Sequence, residues 1–192
     1  MKTTDKKDTK TADKKTTTTA KKADDKKATT SDKKSNKDMV AAKADAAGNL
    51  KELFIDSLKD IYWAEKALTK ALPKMAANAT TPKLVESLNA HLEETHEQIK
   101  RLEEVFKMMG EKAVAKKCDA MDGLIKEGDG ILEETKPGPV RDAGIIAASQ
   151  KIEHYEIATY GTLCSFAKTL GEKDAGVILH KSLMEEKAAD QT

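Results

Sequence analysis

Acidic side chains occur where helical periodicity predicts an apolar face. In segment 140–170, residues Ile145, Ile152 and Leu163 follow one stripe at 100° per residue, and Glu156 falls within it. Glu153, one turn earlier, lies on the flank of the stripe. Burying an unpaired carboxylate costs several kcal/mol and raises its pKa until it is protonated. Acids in such positions indicate a binding site, unless neighbouring groups pair with them.

The same pattern recurs in two other helical segments. Glu65 falls among the apolar positions of segment 49–77, and Glu186 falls among those of segment 173–192. Asp190 follows Glu186 by one helical turn. We therefore expect acids from three separate helices to face one interior.

A fourth segment, 82–109, gives a less regular pattern. His91 lies close to its apolar stripe and Glu94 lies toward the edge, whereas Glu93 points almost directly away. Helical phase therefore favours Glu94 over Glu93 as the acid of this helix. With it, four helices each present an acid toward the core.

The four acids lie at similar levels along the bundle axis if the first two helices form one hairpin and the last two form another. Glu65 and Glu94 are each about 14 to 15 residues from the first turn, and Glu156 and Glu186 are about 16 and 14 from the second, at a rise of about 1.5 Å per residue. Converging carboxylates repel one another unless a cation neutralises them, and oxygen ligands favour iron or manganese over zinc or copper. This convergence predicts two iron or manganese ions bound by Glu65, Glu94, Glu153, Glu156 and Glu186, with His91 or Asp190 as supplementary ligands.

A metal-free arrangement is the alternative. A single buried glutamate is usually paired with a lysine, a tyrosine hydroxyl or a protonated neighbour. Suitable partners in the sequence are Tyr62, Tyr155, Tyr160 and His154. Under this interpretation the protein is a structural or interaction bundle.

The elements that must position these residues are all helices. Breakers divide the chain after residue 48, and the pattern shows no strand-like alternation. Two hairpins joined by a long connection predict an all-α four-helix bundle with one crossover. The predicted helices span about 49–77 (disturbed at Pro73), 82–109, 140–170 and 173–192, with short helices near 117–126 and 130–134 in the connection.

Residues 1–48 form a compositionally distinct tail. They contain 14 Lys, 8 Asp and neither Arg nor Glu, so the tail carries +6 and the remaining chain −5. So few apolar side chains predict a disordered segment. Its Lys content allows weak contact with nucleic acid or an acidic surface, although interspersed Asp favours a simple spacer.

Cysteine content and hydropathy predict a cytoplasmic protein. Two cysteines, Cys118 and Cys164, do not form a disulfide scaffold and fit a reducing compartment. The sequence lacks an apolar run of the roughly 18 residues that a membrane span requires. We expect no membrane association.

Three phrases resemble the YciE/YciF family of bacterial stress-associated proteins within the ferritin-like superfamily. They are LKDIYWAEKALTKALPKMA, HLEETHEQIKRLEEVF and KIEHYEIATYGTL. The resemblance runs from about residue 49 to the C-terminus. It implies a ferritin-like four-helix bundle, commonly a homodimer. Ferritin-like relatives bind two irons or manganeses and react with oxygen or peroxide.

The superfamily pattern takes one Glu from each of two helices and Glu-x-x-His from each of the other two. Glu65 matches the first helix, and either acid of the EHYE stretch matches the third. Glu93 and His96 form a literal Glu-x-x-His, but helical phase favours Glu94. In the last helix Ala189 stands where the histidine is expected, so Asp190 is the available substitute.

Overall fold

The computed structural model describes residues 40–192, which contain five α-helices and no strand. Most of the predicted disordered tail, residues 1–39, lies outside the described residues. No helix within residues 40–192 is long and apolar enough to cross a membrane. The helices are α1 (Leu50–Asn78), α2 (Pro82–Met108), α3 (Asp119–Glu134), α4 (Pro139–Leu170) and α5 (Lys173–Ala189).

Four of these helices form the predicted bundle. α1 pairs with α2 and α4 pairs with α5, while α1 also contacts α4 and α2 contacts α5. The chain crosses between the two hairpins through residues 109–138, which include α3. The predicted ferritin-like four-helix bundle with one long crossover is therefore confirmed. Its interior holds large, completely buried side chains, including Phe54, Leu58, Phe106, Ile145 and Leu163.

Local sequence signals set the helix ends. Asn49 caps α1 by accepting a hydrogen bond from the Glu52 N–H at 3.0 Å, and Glu52 accepts one from the Gly48 N–H at 2.7 Å. Pro82 occupies the first turn of α2, where its missing N–H removes no helical bond. Gly171 ends α4 with φ of 78°, a left-handed conformation that favours glycine.

The crossover contains one continuous helix, so the prediction of two short helices was wrong. α3 runs through Gly123, Gly128 and Gly130, each of which lowers intrinsic helix propensity. Its buried residues Met121 and Leu132 join the core, and α3 packs on α4 and α1. Tertiary packing therefore outweighs the local cost of the glycines.

Asp142, a buried residue of α4, connects the two hairpins through hydrogen bonds. Its carboxylate accepts four hydrogen bonds at 2.6–2.8 Å from the backbone N–H and side-chain hydroxyl groups of Thr80 and Thr81. These bonds lower the pKa of Asp142 to about 2. Thr81 makes no side-chain capping bond to α2 in the described chain, and its hydroxyl donates to Asp142 instead.

Candidate metal centre

Four glutamates and one histidine from four helices meet inside the bundle. Glu65 lies on α1, His91 on α2, Glu153 and Glu156 on α4, and Glu186 on α5. Three of these acids are completely buried, and Glu153 and His91 are each 6% exposed. This convergence follows from the helical phases, which turn each of these positions toward the bundle axis.

A compact subset of these side chains has metal-ligand spacing. This compact set consists of His91, Glu153, Glu156 and Glu186. Each of the four residues offers one ligand atom, and these four atoms all lie within 4.8 Å of one another. The Nε2 atom of His91 lies 3.4 Å from Oε1 of Glu153. Imidazole and carboxylate groups at such spacing can coordinate a divalent cation together.

Hydrogen bonds satisfy only part of this cluster. The Tyr160 hydroxyl donates to Oε1 of Glu65 at 2.5 Å, and the Gln98 amide donates to Oε1 of Glu186. Several other buried atoms have no hydrogen-bond partner among residues 40–192. They are Oε2 of Glu65, Glu153 and Glu186, both oxygens of Glu156, and both ring nitrogens of His91.

Burial and mutual repulsion favour the protonated forms of Glu65, Glu153 and Glu156. Desolvation raises the pKa of Glu65 and of Glu156 well above the usual range, and the charge of Glu186 raises both further. Desolvation, with an added contribution from Glu186, raises the pKa of Glu153 to about 10. Burial beside Glu65 also raises the pKa of Tyr160. Without a cation, Glu153 therefore favours its protonated form at neutral pH, and the pKa shifts of Glu65 and Glu156 have the same direction.

The orphaned atoms fit a metal. Each buried polar group left without a partner costs about 1–3 kcal/mol, and this cluster has several such groups in contact distance of one another. A divalent cation would accept their lone pairs and remove the repulsion between the carboxylates. Oxygen-rich ligands with one imidazole suit iron or manganese.

Three predicted ligands lie outside the compact set: Glu65, which is completely buried among the same helices, and Glu94 and Asp190. The side chain of Glu94 is 45% exposed, and its Oε2 lies 3.7 Å from Nδ1 of His91. Asp190 follows the end of α5, and its Oδ1 lies 2.9 Å from Nε2 of His154. The α2 side chain in the compact set is His91. The acid expected from α2, Glu94, lies partly exposed at the edge of the cluster, and its role as a ligand stays a prediction.

The literal Glu-x-x-His of α2 points outward. Glu93 and His96 are both exposed, so helical phase was the better guide. Sequence reasoning missed Gln98, which is completely buried and contacts Glu186. Gln98 lies seven residues after His91, two turns further along the same face, and this spacing was an available signal.

An ion pair lies next to this glutamine. Arg101 binds Glu185 in a two-pronged arrangement, with Nη2 to Oε1 at 2.7 Å and Nη1 to Oε2 at 2.5 Å. The charge of Arg101 opposes the rise in the pKa of Glu65. Sequence reasoning did not identify this pair, because both residues resemble ordinary helix-surface charges.

The fold and the cluster define a ferritin-like helical bundle with a buried carboxylate and histidine centre. Residues 49–192 match the profile of a protein family described as "Domain of unknown function (DUF892)". The chain belongs to this family.

Similar proteins agree with this assignment. The chain is 47% identical over 142 residues to Protein YciF of Escherichia coli K12, covering 73% of this chain and 86% of the relative. The crystal structure of the Escherichia coli stress protein YciF superposes with a TM-score of 0.73 at 47% identity, covering 75% of this chain and 91% of that one.

Two other solved structures share the fold. YcfI of Rhodopseudomonas palustris, described as a candidate structural protein, superposes with a TM-score of 0.76 at 46% identity, covering 78% of this chain and 96% of that one. A Xanthomonas campestris protein superposes with a TM-score of 0.58 at 22% identity, covering 74% and 87% of the two chains, and shows the fold alone.

Proposed function

We propose that the buried cluster binds two iron or manganese ions and that the protein reacts with oxygen or peroxide during stress. The observation that carries the proposal is the set of orphaned carboxylate and imidazole atoms within 4.8 Å of one another. The description of the Escherichia coli relative as a stress protein supports the physiological role. The site would act in the cytoplasm, where the reducing conditions keep thiols such as the two free cysteines reduced.

Different residues of the cluster would bind the two ions. His91, Glu153, Glu156 and Glu186 would hold the first ion, and Glu65 with the remaining oxygens would complete the second position. Glu94 lies on the Nδ1 side of His91, where a carboxylate commonly orients a metal-bound histidine. Two such ions would supply two-electron redox chemistry toward oxygen or peroxide.

Metal analysis after anaerobic iron loading tests the proposal. We expect about two metals per chain, and loss of both in the Glu65→Ala, Glu156→Ala double variant because four of the converging oxygens are removed. Glu93→Ala is the matched control, since Glu93 is exposed and should leave the metal content unchanged. A double variant that still binds two irons would contradict the ligand assignment.

A metal-free structural or interaction bundle is the second candidate. The bonds from Tyr160 and Gln98 favour it, because they already partner two of the acids without a cation. The Rhodopseudomonas palustris relative is described as a candidate structural protein. In this case the Lys-rich tail would contact nucleic acid or another protein. Binding would weaken with salt and disappear when residues 1–48 are deleted.

We further propose that the protein is a homodimer, as the resemblance to the YciE/YciF family implies. The solution mass of the full chain, measured by light scattering with and without iron, tests this. A monomer in both conditions would reject it.

A further inference from the structure

Two acids of the cluster are each held through one oxygen only. Glu65 accepts a hydrogen bond from Tyr160 through Oε1, and Glu186 accepts one from Gln98 through Oε1. The second oxygen of each acid is buried and has no hydrogen-bond partner in the described part of the chain. These acids come from α1 and α5, whereas their donors come from α4 and α2. Each acid is therefore held by a helix from the other hairpin.

Tyr160 and Gln98 must be the donors in these two hydrogen bonds, and the acids the acceptors. Tyr160 and Gln98 are completely buried, so water does not compete for their hydrogen atoms. A flipped Gln98 amide would bring its oxygen against carboxylate oxygens of both Glu186 and Glu185, whereas Nε2 can donate to them. Gln98 Nε2 also lies 3.4 Å from Glu185 Oε2, and Glu185 is held by Arg101. The ion pair thus supports the glutamine.

Glu156 differs from both acids. Both of its oxygens are completely buried, and neither has a hydrogen-bond partner among residues 40–192. Its carboxylate faces Glu186, Glu65 and Glu153, which all raise its pKa. Among the described residues no hydroxyl or amide donor is bonded to Glu156, so a cation that displaces its proton can bind both of its oxygens.

We propose that Tyr160 and Gln98 are positioning residues that limit Glu65 and Glu186 to one ligand oxygen each and leave Glu156 as the two-oxygen ligand. This inference rests on the proposed function, since it applies to a cluster that binds metal. Hydrogen bonds to ligand groups fix their orientation, and their loss typically weakens metal affinity by 10- to 100-fold. The two donors thereby set how many oxygens surround the bound ion.

Cobalt binding to the full chain tests the inference without depending on activity. The visible absorption of cobalt(II) weakens as its coordination number rises, so it reports the number of ligand oxygens. In Tyr160→Phe, Glu65 is free to offer both oxygens, and in Gln98→Leu the same holds for Glu186. We expect weaker absorption per cobalt and roughly 10- to 100-fold weaker affinity in both variants.

Tyr62→Phe is the matched control. Its hydroxyl donates at 2.8 Å to Glu103, which is not part of the cluster, so the variant loses a comparable bond elsewhere. We expect the cobalt spectrum and affinity of the parent protein in this variant. Helix content measured by circular dichroism checks folding, and if Gln98→Leu does not fold, the milder Tyr160→Phe decides the result.

Two failures are distinguishable. If the parent chain binds cobalt and Tyr160→Phe matches Tyr62→Phe in spectrum and affinity, Tyr160 does not position Glu65 and the inference is rejected, while the proposed metal site stands. If the parent chain binds no cobalt, iron or manganese, the proposed function is rejected and the inference is rejected with it.

Discussion

Glu156→Met should stabilise the metal-free protein and remove its response to metal. Glu156 is completely buried, and neither of its oxygens has a partner within the described residues. Desolvation and the neighbouring acids raise its pKa well above the usual range, so the metal-free protein buries a carboxyl group that can hydrogen-bond only to another acid, Glu186. Such a group costs about 1–3 kcal/mol. Methionine is unbranched and of similar length, so it fills the same space without this cost.

The expected gain is large enough to measure. For a domain of about 150 residues, 1 kcal/mol shifts the melting temperature by ~2–4 °C, so the metal-free variant should melt ~2–12 °C above the metal-free parent. Metal should reverse this order. At 100 times the dissociation constant a ligand stabilises the folded parent by about 2.7 kcal/mol, and the variant should gain little.

Melting curves recorded in chelator and in manganese(II) test both halves of this prediction. Glu93→Met serves as the control, because an exposed site should change stability by less than about 0.5 kcal/mol. A metal-free Glu156→Met variant that melts below the parent would refute the reasoning. That result would mean that the Glu156 oxygens already take part in a stabilising network, as in a metal-free structural bundle.

Three further predictions concern charge, ligands and packing. Glu153, with a pKa raised to about 10, keeps a proton in the folded metal-free state that the unfolded chain releases above about pH 4.5. The contribution of Glu153 to the free energy of unfolding is therefore fully present below about pH 4.5 and is lost as pH rises toward 10, by up to about 1.4 kcal/mol per pH unit. Urea unfolding at pH 5, 7 and 9 measures this loss, and a free energy of unfolding that does not fall over this range would contradict the prediction. His91→Ala should lower iron content measured by mass spectrometry, whereas His96→Ala should not, because only His91 is buried in the cluster; equal losses would reject the distinction. Gly144→Ala should lower the free energy of unfolding in urea by about 1–3 kcal/mol, since the new Cβ would lie 2.5 Å from Cγ2 of Ile131. Gly161→Ala is the control and should not destabilise the fold, because no atom of the described chain lies within 4 Å of its new Cβ.

Sequence periodicity located the bundle and much of the candidate centre. Glu65, Glu156 and Glu186 lie on long helices with clear apolar stripes, so an acid within the stripe could be recognised as buried. The resemblance to the YciE/YciF family predicted the same fold, and the family assignment confirms it. Identification of the ligands stays a prediction that metal analysis must test.

The contribution of α2 could not be predicted in the same way. The rotation of a helix about its own axis depends on contacts with its neighbours, and a residue at the stripe's edge moves in or out with a small rotation. In the structure this rotation buries His91 and Gln98 and leaves the side chain of Glu94 45% exposed. The continuity of α3 through three glycines likewise depends on packing against α4 and α1 that local propensity does not contain.

The carboxylate of Asp142 has a consequence for folding. It belongs to the second hairpin, yet it binds the two residues that precede α2 in the first. The hydrogen bonds from Thr80 and Thr81 to Asp142 form only when the two hairpins dock, so each hairpin gains them from the other. Folding of the two halves is thereby linked, and the bundle should melt in a single transition rather than one hairpin at a time.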